Sequence, residues 1–151
     1  MMSFPPNRVI IFLFSSFLCT SLLQAQNWAN TDTTYPPGGT QNWTIGSNWA
    51  GGVAPATATT PTINGQGYAL INSTVNTLAG FGVLGTGNVN RGLYIASGGA
   101  LTTTGTFRLS NTNGNTTVDV ASGGALTIGS HLLMNAGTGA LEEIFFPLKF
   151  K

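Results

Sequence analysis

The chain has 151 residues, enough for one domain, with a formal net charge of +1 and charged side chains at only 6% of positions. An ordinary globular protein carries roughly 25% charged residues, so hydroxyl and amide groups must keep this surface wet. The lack of clustered Lys and Arg argues against a nucleic-acid partner, and 42% hydrophobic residues with so little net charge argue against disorder.

Residues 1–8 carry one positive charge, Arg8, and Val9 to Leu23 form an uncharged, largely apolar segment. Gln24-Ala25-Gln26 then offers a small residue at a cleavage point. This three-part form predicts a secretory signal peptide over residues 1–25. A retained anchor is the poorer fit, because a spanning helix needs about 20 apolar residues and this segment is shorter. Cys19, the only cysteine, lies in the apolar segment, so the mature chain would carry no disulfide and no transmembrane span.

Residues 26–62 are expected to form a loop and an N-terminal cap. Pro36-Pro37-Gly38-Gly39 is a turn signal. Trp43 and Trp49 follow, framed by Gly and Asn. Two readings of the pair stay open. The rings form a stacking platform for sugars, or they plug the end of a stack of repeats that would otherwise expose its core.

The hexapeptide Ala96-Ser97-Gly98-Gly99-Ala100-Leu101 recurs as Ala121-Ser122-Gly123-Gly124-Ala125-Leu126, so that position 96 returns at 121, a period of 25. A fixed period of that size predicts stacked repeats. Aligning residues 91–115 with 116–140 gives two rungs, each with three short strands. Period-2 alternation points Leu93, Ile95, Phe107 and Leu109 inward in one rung. Val118, Val120, Leu132 and Met134 point inward in the next. Gly98, Gly99, Gly123 and Gly124 are assigned to corners, where positive φ or a close approach of the next rung excludes a Cβ. Residues 66–90 read as an atypical first rung, with Tyr68 and Leu70 matched to Leu93 and Ile95. The repeats span residues 63–141. Residues 142–151 leave the pattern, either as a charged cap or as the out-of-frame end of a longer array.

Catalytic signals are absent from the sequence. Gly80-Phe81-Gly82-Val83-Leu84-Gly85 has dinucleotide-loop spacing, but Thr86-Gly87-Asn88 cannot open the required helix and no acid lies about 20 residues on, so a Gly-rich turn is expected. His131 is the only histidine and is expected on the surface, which leaves no metal site. Asp119 is the only acid in residues 33–141, which opposes paired-carboxylate hydrolysis. No catalytic, cofactor-binding or metal-binding residue is assigned. The matches to the N-glycosylation pattern at Asn42, Asn72 and Asn115 are expected by chance in an Asn- and Thr-rich chain.

The Trp43-x5-Trp49-x-Gly51-Gly52-x-x-Pro55 segment, followed by Gly-rich strand repeats, resembles the start of large secreted bacterial β-solenoid proteins. These are similar to autotransporter passenger domains and the autotransporter-associated β-strand repeat family. The resemblance covers roughly residues 42–141. It implies an extracellular, bacterial repeat protein. The expected fold is all-β, a short parallel β-solenoid of about three rungs with a Trp-containing N-terminal cap. The expected function is that of a non-enzymatic structural or adhesin-like surface protein whose partners are polysaccharides or other cell-surface components. The alternative is a carbohydrate-active or carbohydrate-binding β-helix.

Overall fold

The computed structural model of the protein describes residues 26–85, 87–111, 115–136 and 144–145. The expected signal peptide lies outside them, as does the expected tail apart from Ile144 and Phe145. The described residues form an all-β structure with parallel sheets. Their strands follow in order: β1 (Thr62–Ile63), β2 (Gly67–Ile71), β3 (Phe81–Gly85), β4 (Arg91–Ile95), β5 (Ala100–Thr103), β6 (Phe107–Asn111), β7 (Thr116–Val120), β8 (Ala125–Ile128), β9 (Leu132–Ala136) and β10 (Ile144–Phe145). The only helical pieces among the described residues are two 3-10 turns, Gly39–Gln41 and Gly46–Asn48.

The described strands pair into three sheets, ordered β1-β3-β6-β9, β2-β4-β7-β10 and β5-β8. Every pairing between named strands is parallel. Arg91 pairs with Thr116, Ala100 with Ala125 and Phe107 with Leu132, so between the last two repeats all three sheets keep the offset of the hexapeptide. Stacked strands lie about 4.8 Å apart, so equivalent side chains meet. Leu93 lies beside Val118, Ile95 beside Val120 and Leu101 beside Leu126. Leu93, Ile95, Leu101, Phe107, Leu109, Val118 and Val120 are buried together in one core. Burial of each such side chain contributes about 1.5–3 kcal/mol.

The first turn of chain departs from the expected register. Gly67 pairs with Arg91, one position short of the Gly92 that the repeat predicts. Ala69 and Ile71, not Tyr68 and Leu70, therefore lie beside Leu93 and Ile95 and enter the core. A one-residue slip moves every side chain to the opposite face. The chain shortens at the corner: Ile71 to Thr74 does the work of Ile95 to Ala100. Tyr68 and Leu70 are nonetheless buried, because residues of the N-terminal segment cover the outer face of β2.

Three further expectations meet a different outcome. The Gly80–Gly85 segment is not a turn: Phe81–Gly85 is β3, a paired and mostly buried strand. Phe81 and Val83 alternate into the core, and that alternation outweighs the glycines between them. Leu132 and Met134 keep the inward register, beside Phe107 and Leu109, yet are 36% and 47% exposed. Among the described strands β9 is a sheet edge, so no described strand covers their far side. Ile144 and Phe145, expected off-pattern, extend a sheet by pairing with Val118 and Asp119.

The N-terminal segment, residues 26–61, occupies the opposite edges. Asn27 bridges Thr62 of β1, and Asn42 bridges Leu70 of β2. The Trp28 amide donates to the Thr62 carbonyl and the Trp43 amide to the Leu70 carbonyl, each at 2.8 Å. Backbone groups of two sheet edges are thereby satisfied, which blocks further strand pairing there.

Candidate functional site

The two tryptophans expected as a platform or a plug are 2% exposed each. Trp49 packs edge-to-face against Trp28 at 5.0 Å and Trp43 at 4.6 Å between ring centroids. Trp43 continues to Phe81 at 5.4 Å, and Phe81 to Phe107 at 5.2 Å. The Trp49 indole N–H donates to the Trp43 carbonyl at 2.8 Å. Both rings are thus continuous with the strand core. A sugar-stacking platform requires an exposed ring face, and neither ring has one.

Polar groups hold these rings in place. Asn48 is buried and donates through Nδ2 to the carbonyls of Thr40 and Asn42, at 2.8 and 2.9 Å. Its Oδ1 accepts from Asn30 at 2.9 Å. A buried amide with its bonds made specifies one geometry, because the desolvation cost of leaving it unpaired is about 1–3 kcal/mol.

The corner glycines fall in two classes. Gly98 and Gly123 have φ of +79° and +82°, a region that side chains enter at a cost. Gly99 and Gly124 have no such φ. A Cβ on Gly99 would overlap the Ile71 carbonyl oxygen, and one on Gly124 would stand 2.7 Å from that of Ile95. One glycine turns the chain; the next lets the preceding strand approach.

The most chemically varied outer surface lies over β2, β4 and β7. Tyr35, on the loop before the first 3-10 turn, rests on Tyr68 at 5.0 Å and meets Tyr94 edge-on at 6.0 Å. Its hydroxyl donates to Asp119 Oδ2 at 2.7 Å. Burial, together with that bond and the Asp119 charge, pushes the Tyr35 phenol well above its ordinary range. Gly92 is crowded from both sides, because a Cβ there would overlap the Thr117 carbonyl oxygen and stand 3.0 Å from the Tyr68 ring. Gln41, fully buried, shapes the loop. It accepts the Gly38 amide at 2.7 Å and donates to the carbonyls of Asp32 and Thr34 at 2.8 and 3.2 Å. The Thr34 amide donates to the Asp32 carboxylate at 2.9 Å and draws that carboxyl below its usual range.

The sequence reading did not single out Tyr35 or Gln41. Neither belongs to a repeat, and the partner of Tyr35 lies 84 positions along the chain. Arg91 was likewise read only as a strand residue. Its side chain is buried, and its guanidinium donates to the Leu84 carbonyl at 3.0 Å, which ties the turn between β3 and β4. Burial lowers its pKa, but a guanidinium stays charged.

Elsewhere, a shallow groove of about 190 Å³ on the β1-β3-β6 sheet is lined by Thr60, Thr62, Leu84, Thr106 and Arg108. His131 is exposed and contacts Ser130 Oγ through Nδ1 at 2.6 Å. Among the described residues, no three His, Cys, Asp or Glu side chains gather to hold a metal. No helix among them is long and apolar enough to cross a membrane. Comparison of the chain with known protein families, with characterised proteins and with solved structures finds no match to any of them.

Proposed function

We propose that this protein is a secreted, non-enzymatic β-solenoid of about three rungs that serves as a structural or adhesin-like component of a cell surface. The observation that supports it most is the common offset of the last two repeats in all three sheets, which pairs Arg91 with Thr116, Ala100 with Ala125 and Phe107 with Leu132. A chain whose sheets repeat at this offset, or within one residue of it, stacks rungs, with residues 66–90, 91–115 and 116–140 as the repeating units. Its outer faces then run as stripes of mixed polar and aromatic character, such as Tyr94 beside Asp119 and Thr102 beside Thr127. Such stripes suit contact with polysaccharide or neighbouring surface components. Trp28, Trp43 and Trp49 close the N-terminal end as the cap, which fits their burial and the edge bonds made by that segment. The apolar residues 9–23 with Ala25 support export through a cleaved signal peptide.

The test is export and activity together. Expressed in a bacterial host with its own amino-terminal segment, the protein should leave the cytoplasm shortened at Ala25. The exported form should bind polysaccharides from a mixed panel and release no new reducing or unsaturated ends, with or without calcium. Product formation abolished by Asp119→Ala would replace this reading with a carbohydrate-active β-helix.

A further inference from the structure

We propose that Tyr35, flanked by Tyr94 and Asp119, is a stacking subsite for polymers of neutral sugars. The inference rests on the surface-protein reading above and names the ligand class that this face would take.

Exposure is the first argument. Among the described Phe, Trp and Tyr side chains, Tyr35 alone is exposed, at 44%. The tryptophans, Tyr68, Phe81 and Phe107 are all buried. The ring that projects is also held. Tyr68 supports it, Tyr94 meets it edge-on and Asp119 fixes its hydroxyl. A ring fixed before binding loses little rotamer freedom when a ligand stacks on it.

The loop that carries Tyr35 is specified from beneath. Gln41 has no exposed surface and makes three bonds to the backbone of residues 32–38. The Gln66 side chain adds a bond to the Thr31 carbonyl at 3.1 Å. The tyrosine itself crosses two strands to reach a third. If the loop served only to cover β2, a buried aliphatic side chain at position 35 would suffice. A half-exposed phenol bonded to a carboxylate is the amphipathic kind of surface found where one side of a ring is dry and the other meets a polar ligand.

Charge selects the sugar class. A carboxylate can accept about four hydrogen bonds, so Asp119 keeps acceptor capacity for ligand hydroxyls after taking that of Tyr35. Asp32 lies on the same loop as Tyr35. The described arginines are elsewhere: Arg91 is buried, and Arg108 stands on β6 in a different sheet. Among the described residues, an acidic polymer would meet two carboxylates and no cation here, whereas a neutral one meets a ring face and hydroxyl acceptors.

The experiment is affinity electrophoresis of the purified exported protein through gels containing a soluble neutral glucan, xylan or polygalacturonate. Migration should be retarded by at least one neutral polymer. Tyr35→Ala should weaken that association by about ten-fold, the effect expected for loss of one aromatic anchor. Tyr35→Phe, which keeps the ring, should remain within about three-fold of the parent. Thermal melting of each variant separates binding from folding. Retardation by a neutral polymer that Tyr35→Ala leaves intact overturns the subsite, even if that variant melts earlier. Retardation by polygalacturonate alone, lost in Arg108→Ala, also overturns it but leaves the surface-protein reading standing. No retardation by any polymer overturns both the subsite and polysaccharide contact.

Discussion

Trp49 combines two contributions in one side chain: a ring packed edge-on between Trp28 and Trp43, and an indole N–H bonded to the Trp43 carbonyl. Trp49→Ala should lower the unfolding free energy by about 3–5 kcal/mol, the usual range for deleting a buried tryptophan. Urea denaturation checks this, and a loss below about 1 kcal/mol would place the ring outside the core. Gln41 illustrates the opposite case, a buried polar group that holds only backbone. Gln41→Leu strands the Gly38 amide and the Asp32 and Thr34 carbonyls, and should cost about 1–3 kcal/mol. Amide exchange at residues 32–38 should accelerate in that variant more than in β4; equal acceleration would contradict a local role. The aromatic residues were visible in the sequence, but their exposure was not. For Trp43 and Trp49 the local pattern fitted both a sugar platform and a plug, and for Tyr35 the Pro-Pro-Gly-Gly turn beside it signalled only a loop.

At the level of elements, the corner between β4 and β5 shows how a repeated hexapeptide divides its labour. Gly98 carries the positive φ, and Gly99 gives the Ile71 carbonyl its space. Gly98→Val should cost about 1–3 kcal/mol through backbone strain, and Gly98→Asn less, because Asn tolerates that conformation. Gly99→Ala should be at least as damaging as Gly98→Val, since its Cβ meets rigid backbone. Thermal denaturation ranks the three, and a harmless Gly99→Ala would refute the close approach. The contact between the Tyr35 loop and β7 has a pH signature. The folded state raises the Tyr35 pKa above its ordinary value, so its contribution is complete below about pH 10 and fades as pH rises past that point. The stability difference between the parent and Tyr35→Phe should therefore shrink under alkaline conditions. Parallel stability curves from about pH 8 to about pH 11 would show that the phenol is not perturbed. Strand positions were readable from period-2 alternation. The register of β2 was not, because turns that differ in length between repeats leave the local pattern unchanged while shifting the pairing.

Across the molecule, stability is distributed by the number of neighbours each strand has. β4 and β7 are paired on both sides, whereas β9 is an edge among the described strands and carries exposed Leu132, Leu133 and Met134. Hydrogen exchange should accordingly be slowest at Leu93 and Ile95 and much faster along β9; the reverse order would contradict the stacking described. Sequence by itself determined the all-β class, the offset that pairs position 91 with 116, the three strands per repeat and the inward positions of Leu93, Ile95, Phe107 and Leu109. It could do so because parallel stacking places like on like, so the physical demand on each strand is written again in the next. Tertiary structure alone decided what happens where repetition stops. It buried the tryptophans, slipped β2 by one residue, put Arg91 under a turn and carried Tyr35 across to Asp119. Those outcomes depend on close approaches between residues far apart in the chain, and a local pattern holds no record of which distant backbone will cover it.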